Sequence, residues 1–299
     1  MKNAPIRHAL EYGLYLGLSG LLRSLPHATA RSFGRGLGRL AHAVDLRHRQ
    51  VARKNLRLAF PEWDPARVAE VARACFIHFG QSFCDAISSM RFDRVEACRR
   101  LSVEGWEHLE DAERDGRGVL IMGAHLGDWE AVTKPLALYR GDLHIVHRPA
   151  DNPHLNREMQ RLREQFGSRS IDKHSAARRM LRTLQANEKV GILIDQRVLR
   201  REGIQVPFFG RPAWTTPVLA KLSLRTGAPL VPTYAFAAPE GRYRVVFHAP
   251  IRPSAGGETG DDAQAERLTA LYLEHVEGEI RRCPEQWLWL HDRWKDSQA

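Results

Sequence analysis

Four short apolar runs stand out in the second half of the chain, at residues 119–122, 143–146, 190–194 and 230–236. Runs of this length without alternation predict strands buried on both faces. A fifth, 243–248, alternates apolar and polar positions and predicts an edge strand. Helical periodicity lies between the first four runs, at 128–138, 156–166 with 176–185, and 217–226. A last helix is predicted over 263–282, with Leu268, Leu271, Tyr272, His275, Val276 and Ile280 on one face. Strand–helix alternation predicts an α/β fold with a mainly parallel central sheet flanked by helices. Residues 1–115 read as mostly helical and predict a layer packed on that sheet.

The start of this layer has its own pattern. Residues 9–22 are apolar apart from Glu11 and Ser19. Such a run is short of the ~20 residues a transmembrane helix needs, and it lacks a small-residue cleavage site, so a signal peptide is not expected and attachment is expected to be peripheral or through a single N-terminal anchor. Arg31, Arg35 and Arg39 then repeat every four residues, while Phe33, Leu37, Leu40 and Val44 fall elsewhere on the wheel. An apolar segment followed by a basic amphipathic helix predicts membrane-associating helices over residues 1–45, with an α/β domain over 46–299.

Charge sharpens this picture. The net charge is +10, and residues 1–60 hold eleven basic residues against Glu11 and Asp45, so almost all the excess lies at one end. The expected partner is an anionic surface. An apolar neighbour favours lipid over nucleic acid, and no base-reading motif accompanies the charge. The 43% hydrophobic and 27% charged content are ordinary for a globular chain and exclude a disordered one. Cys75, Cys84, Cys98 and Cys283 form no CxxC pair, so reduced thiols are expected, without zinc or disulfides.

The chemistry concentrates in Gly118-Val-Leu-Ile-Met-Gly-Ala-His-Leu-Gly-Asp-Trp-Glu130. An apolar strand runs into His125, then a Gly127 turn, then a helix. Ligands gather at the carboxyl ends of strands in open α/β sheets, and imidazole suits proton transfer near neutral pH. In a continuous helix His125 and Glu130 would point apart. The break at Gly127 allows them to meet, so Glu130 is the expected partner of His125, with Asp128 as the helix N-cap. Asp195, with Gln196, ends another buried strand and points to the same edge. It is suited to orienting His125, to orienting an arginine, or to capping the next element. Phe208–Phe209 and Trp287–Trp289 suit either core packing or a lipid-facing role.

These residues carry a resemblance. His125-Leu-Gly-Asp-Trp-Glu130 after an apolar strand resembles the His-x4-Glu motif of the lipid A biosynthesis acyltransferases, the lauroyl and myristoyl transferase family. That family is related to the glycerolipid acyltransferases, whose motif is His-x4-Asp. Four further blocks are similar, in order: Arg53-Lys-Asn-Leu-Arg-Leu-Ala-Phe-Pro-Glu62; His147-Arg-Pro-Ala-Asp-Asn-Pro153; Asp195-Gln196 with Val206-Pro-Phe-Phe-Gly-Arg-Pro212 and Lys221-Leu-Ser-Leu-Arg-Thr-Gly-Ala-Pro229; and Pro284-Glu-Gln-Trp-Leu-Trp-Leu-His-Asp-Arg-Trp294. The family often has Tyr where this chain has His147.

The resemblance implies a glycerolipid-acyltransferase-like fold and transfer of a fatty acyl group from acyl-carrier protein, or acyl-CoA, to a hydroxyl of a phosphorylated glycolipid such as a lipid A precursor. It places the enzyme at the cytoplasmic face of a bacterial inner membrane and assigns phosphate binding to Arg148, Arg161 and Arg163. A thioester is already activated, so no cofactor, metal or enzyme nucleophile is expected. His125 takes the hydroxyl proton and Glu130 stabilises the imidazolium. The rival is a metal-dependent phosphoesterase with His125, Asp128, Glu130 and Asp195 as ligands.

Overall fold

The computed structural model describes residues 4–141, 143–172, 176–253, 261–295 and 297. Helices α1 (Ala4–Ser24), α2 (His27–Val44), α3 (Leu46–Ala59), α4 (Pro65–Ser89) and α5 (Arg94–Arg99) lead into β1 (Leu101–Glu104) and α6 (Trp106–Glu113). Alternation then begins with β2 (Val119–Gly123), a 3-10 turn (Trp129–Val132), α7 (Thr133–Tyr139), β3 (Leu143–His147), α8 (Pro153–Glu164), β4 (Arg169–Asp172), α9 (Ala176–Gln185) and β5 (Lys189–Leu193). A hairpin of β6 (Ile204–Phe208) and β7 (Arg211–Thr215) precedes α10 (Val218–Thr226), β8 (Leu230–Ala237), β9 (Tyr243–Phe247) and α11 (Asp261–Arg282).

The central sheet runs β1-β9-β8-β2-β5-β3-β4. All neighbours are parallel except β8 and β9. The expected α/β class and mainly parallel sheet are therefore observed, with one correction. The 243–248 strand is not an edge, because β1 pairs along it from Leu101–Tyr243 to Glu104–Val246. Its alternation reflects two differently packed faces. β1 and β4 escape sequence reading because Leu-Ser-Val-Glu and Arg-Ser-Ile-Asp are short and half polar.

Every residue of β2 is buried, as a central strand covered on both faces requires. One side carries a large core in which Phe208, Phe209, Trp287, Trp289 and Trp294 pack with α3, α4 and α11. These aromatics are core residues, as their near-complete burial shows. Asn55 on α3 donates to the carbonyls of Trp289 (2.8 Å) and His291 (2.7 Å). That staple explains why blocks at 53–62 and 284–294 belong together: each satisfies buried polar groups of the other.

The helices α2 and α4 cross where side chains are missing. A Cβ on Gly34, Gly38 or Gly80 would overlap the backbone of the opposite helix. In contrast, Ile6, Leu10, Leu14, Leu40 and Val44 on α1 and α2 are exposed. Among the described residues no helix is long and apolar enough to cross a membrane.

Candidate active site

Strands β2 and β5 are parallel neighbours in register, with Gly123 opposite Leu193. Two residues beyond each of these lie His125 and Asp195, so the chain brings them side by side at the carboxyl edge of the sheet. The His125 ring donates from Nδ1 to Asp195 Oδ1 at 2.9 Å, and the His125 backbone amide donates to Oδ2 at 2.9 Å. Trp287 Nε1 donates to the same Oδ2 at 2.8 Å. Asp195 is fully buried. Burial pushes its carboxyl up, but the His125 ring and amide and the Trp287 indole outweigh this and hold it below the ordinary value. An ionised Asp195 fixes the Nδ1–H tautomer and leaves Nε2 as the basic nitrogen.

The turn after His125 is held from two sides. Gly127 has φ +62°, and a Cβ there would overlap the Ala235 carbonyl oxygen on β8. The Gly127 amide donates to the Gln286 carbonyl (2.9 Å), the Asp128 amide to Ala235 (2.7 Å) and the Leu288 amide to His125 (3.0 Å). Residues 286–288 thus clamp the histidine loop, and Leu126 forms an isolated bridge with Trp287.

Two expectations are corrected here. The Gly127 break does not bring Glu130 to His125, whose Nδ1 is taken by Asp195. Glu130 instead receives a forked pair from Arg163: Nε at 3.2 and 2.9 Å and Nη2 at 2.6 Å. A planar guanidinium matched to both carboxylate oxygens is a strong, oriented contact. Burial disfavours the Arg163 charge, but Glu130 outweighs it and raises its pKa. Asp128 stands at the N-cap position, yet its side chain makes no capping bond. Its carboxyl is buried near Ser82 and His78, and burial pushes its pKa up.

A cavity of about 880 Å³ opens at this edge and is lined by His125, Trp129, Glu130, Arg163, Arg197 and His291, among others. Arg148 also lines it, exposed and paired with Asp151 at 3.0 Å. Arg161 turns instead to Glu158 (2.6 Å) and solvent. Arg163 Nη1 is buried and without a hydrogen-bond partner, as are both ring nitrogens of His147. Burial lowers the His291 pKa to about 4, and its Nε2 accepts the Arg197 amide at 3.0 Å. Sequence reading missed Trp287 as a partner of the site. The equal offset of His125 and Asp195 from their strand ends was the available signal for their pairing.

A second cavity, about 560 Å³, lies under α1 between α4 and α8, and it shares Trp129, Glu130 and Met159 with the first. Its walls are mainly apolar side chains such as Leu18, Phe83, Ile87 and Leu162.

The residues of the metal reading are dispersed. Glu130 is held by Arg163, Asp128 is turned toward α4, and among the described residues no group of three or more His, Cys, Asp or Glu is arranged to hold a metal ion.

A mainly parallel sheet with an imidazole–carboxylate pair in a cleft at its carboxyl edge marks an α/β enzyme. Residues 1–296 match the family of bacterial lipid A biosynthesis acyltransferases, and the chain belongs to that family. It is 28% identical to the lipid A biosynthesis lauroyltransferase of Escherichia coli K12 over 94% of this chain and 90% of that one. It is 28% identical to the palmitoleoyltransferase of the same organism over 94% and 89%. It is also 25% identical to the phosphatidylinositol mannoside acyltransferase of Mycolicibacterium smegmatis over 92% and 88%. The protein is an acyltransferase that acts on a lipid.

Proposed function

We propose that this protein transfers a fatty acyl group from an acyl thioester, supplied by acyl-carrier protein, to a hydroxyl of a lipid A precursor or a related phosphorylated glycolipid. The observation that carries the mechanism is the His125–Asp195 pair at the mouth of the cavity. His125 Nε2 takes the hydroxyl proton while the alkoxide oxygen attacks the thioester carbonyl carbon. The tetrahedral oxyanion collapses, the C–S bond breaks, and the imidazolium returns the proton to the leaving thiolate. Asp195 is a positioning residue that holds the ring and stabilises its charged form, as the acid of a triad does.

Glu130 acts through Arg163. The fork fixes the guanidinium and leaves Nη1, which has no partner, as a buried donor suited to the developing oxyanion or an acceptor phosphate. Arg148 supplies a mobile cation at the rim. Arg161 contributes at most to the surface charge. The alkyl chain of the donor lies in the apolar cavity beyond Trp129. Residues 1–45 attach the enzyme peripherally to the cytoplasmic face of the inner membrane through exposed leucines and the exposed Arg39, Arg31 being buried and Arg35 half-buried, and this basic region also suits an acidic carrier protein.

The test is transfer of label from acyl–carrier protein to a phosphorylated lipid A precursor in detergent micelles, comparing wild type with His125→Ala. Loss of transfer in the variant with an intact fold supports the reading. Transfer that survives His125→Ala refutes it, and fatty acid release without transfer shows that the acceptor is a different lipid.

A further inference from the structure

The apolar cavity under α1 has a floor unlike its walls. Its rim is exposed, at Leu14 and Phe83, whereas its inner lining includes Lys134, Asp85, Ser89 and Tyr243, all at least nine-tenths buried. Lys134 Nζ donates to Ser89 Oγ at 3.1 Å and sits 4.7 Å from the centre of the Tyr243 ring. Asp85, which might have paired with it, is committed elsewhere. His27 Nε2 lies 2.8 Å from Asp85 Oδ1, and the Tyr243 hydroxyl donates to Oδ2. Among the described residues Ser89 is the one hydrogen-bond partner of Lys134. An ammonium has three protons to satisfy.

We infer that Lys134 is the end-stop of the acyl-chain cavity and sets the longest chain the enzyme accepts. The inference rests on the acyl-transfer reading above and adds to it a residue that determines chain length. The catalytic cavity and the apolar one share Trp129, Glu130 and Met159, so a chain whose carbonyl lies at His125 enters the second cavity past Trp129. A chain that stops short of Lys134 contacts mainly apolar side chains. One that reaches it presses a methyl group against a buried ammonium and strips away its remaining solvation, which an apolar group cannot replace. Burial, with a smaller push from Arg100, lowers the Lys134 pKa to about 8 against the pull of Asp85, Asp128 and Glu130. A charge held in so unfavourable a place contributes little to packing, which is consistent with a selective role.

The experiment has two arms on the full chain in detergent. The first measures thermal stabilisation by a ladder of free saturated fatty acids in two-carbon steps, which reads the cavity without requiring transfer. The second measures kcat/KM across the same ladder of acyl–carrier proteins. Wild type shows a sharp cut-off, with a loss of about tenfold or more per methylene beyond it. Lys134→Met, similar in shape and uncharged, moves the cut-off to longer chains in both arms. Lys134→Arg, which carries the charge further, moves it to shorter ones.

An identical length profile in wild type and Lys134→Met overturns the inference, as does wild type that binds no chain of any length. Should Lys134→Met not fold, an unchanged profile in Lys134→Arg overturns it. If the binding ladder shifts as expected while no chain is transferred to any acceptor, the end-stop stands and the acyl-transfer reading fails.

Discussion

In the sheet, β2 is buried along its whole length and its neighbours pack against α/β layers on both sides, whereas α1 and α2 leave Ile6, Leu10, Leu14, Leu40 and Val44 in solvent. Around Asp195 the polar groups are satisfied: both carboxylate oxygens, the His125 amide and the Trp287 indole are all bonded. The helical layer combines a net positive charge with exposed apolar side chains. A region built for one environment hides its apolar atoms, and a region built for the boundary between two displays them. On the proposed reading the difference separates chemistry from attachment, and each half can be tested without the other.

The largest effect is expected in the sheet. Asp195→Asn keeps the shape but no longer enforces the Nδ1–H tautomer, and kcat should fall by about 10⁴-fold, as for the equivalent change in a serine protease triad. Binding to anionic vesicles should be unchanged, and parallel rate and sedimentation measurements check both. A loss of vesicle binding would break the separation.

Second, Leu10→Glu with Leu40→Glu should weaken vesicle binding by about a hundredfold or more, since full burial of a leucine side chain contributes roughly 1.5–3 kcal/mol. Transfer to a micellar acceptor should persist. If vesicle affinity does not move, these leucines are not the membrane-facing surface.

Third, Lys134 lies at the seam between the regions, and its protonation links stability to pH. Burial lowers its folded pKa from 10.5 to about 8. The folded state therefore binds this proton more weakly than the unfolded chain does. The contribution is neutral above about 10.5, becomes unfavourable as pH falls from there, and reaches its full extent of about 3 kcal/mol below about 8. Lys134→Met should accordingly be more stable than wild type at pH 7, with the gap closing as pH rises from about 8 to 10.5 in urea titrations. A gap independent of pH would show that the charge carries no such penalty.

The smallest effect concerns the junction itself. Gly38→Ala puts a methyl group into the α2–α4 crossing, where backbone stands opposite, and should cost about 1–3 kcal/mol in thermal or denaturant unfolding. Unchanged stability would mean that the layer shifts freely on α4, contrary to the close crossing.

Legibility in the sequence followed the strength of the local signal. The central strands and their intervening helices were readable because burial on both faces forces continuous apolar runs. β1 and β4 were not, because at the sheet margins a short strand keeps polar residues on its open face. At the site, His125 was readable from its place after a strand, and Asp195 was readable at the end of another as one that could orient it, but the choice between Asp195 and Glu130 was not. Proximity along the chain favoured Glu130, while the partner came from strand pairing 70 residues away. A five-residue spacing across a glycine turn fixes neither rotation nor reach, whereas equal offsets past two adjacent parallel strands fix both. The acid of the motif still matters through Arg163, an arrangement that depends on where α8 packs and that no local pattern encodes.

The clamp of residues 286–288 on the histidine loop bears on the order of synthesis. His125 and Asp195 leave the ribosome long before Trp287, yet the indole bond to Asp195 and the Leu288 amide bond to the His125 carbonyl form only when that late segment arrives. On the proposed reading, in which α1 and α2 attach the chain to a membrane, a nascent chain reaches that surface while its histidine loop is still unclamped and completes the site there.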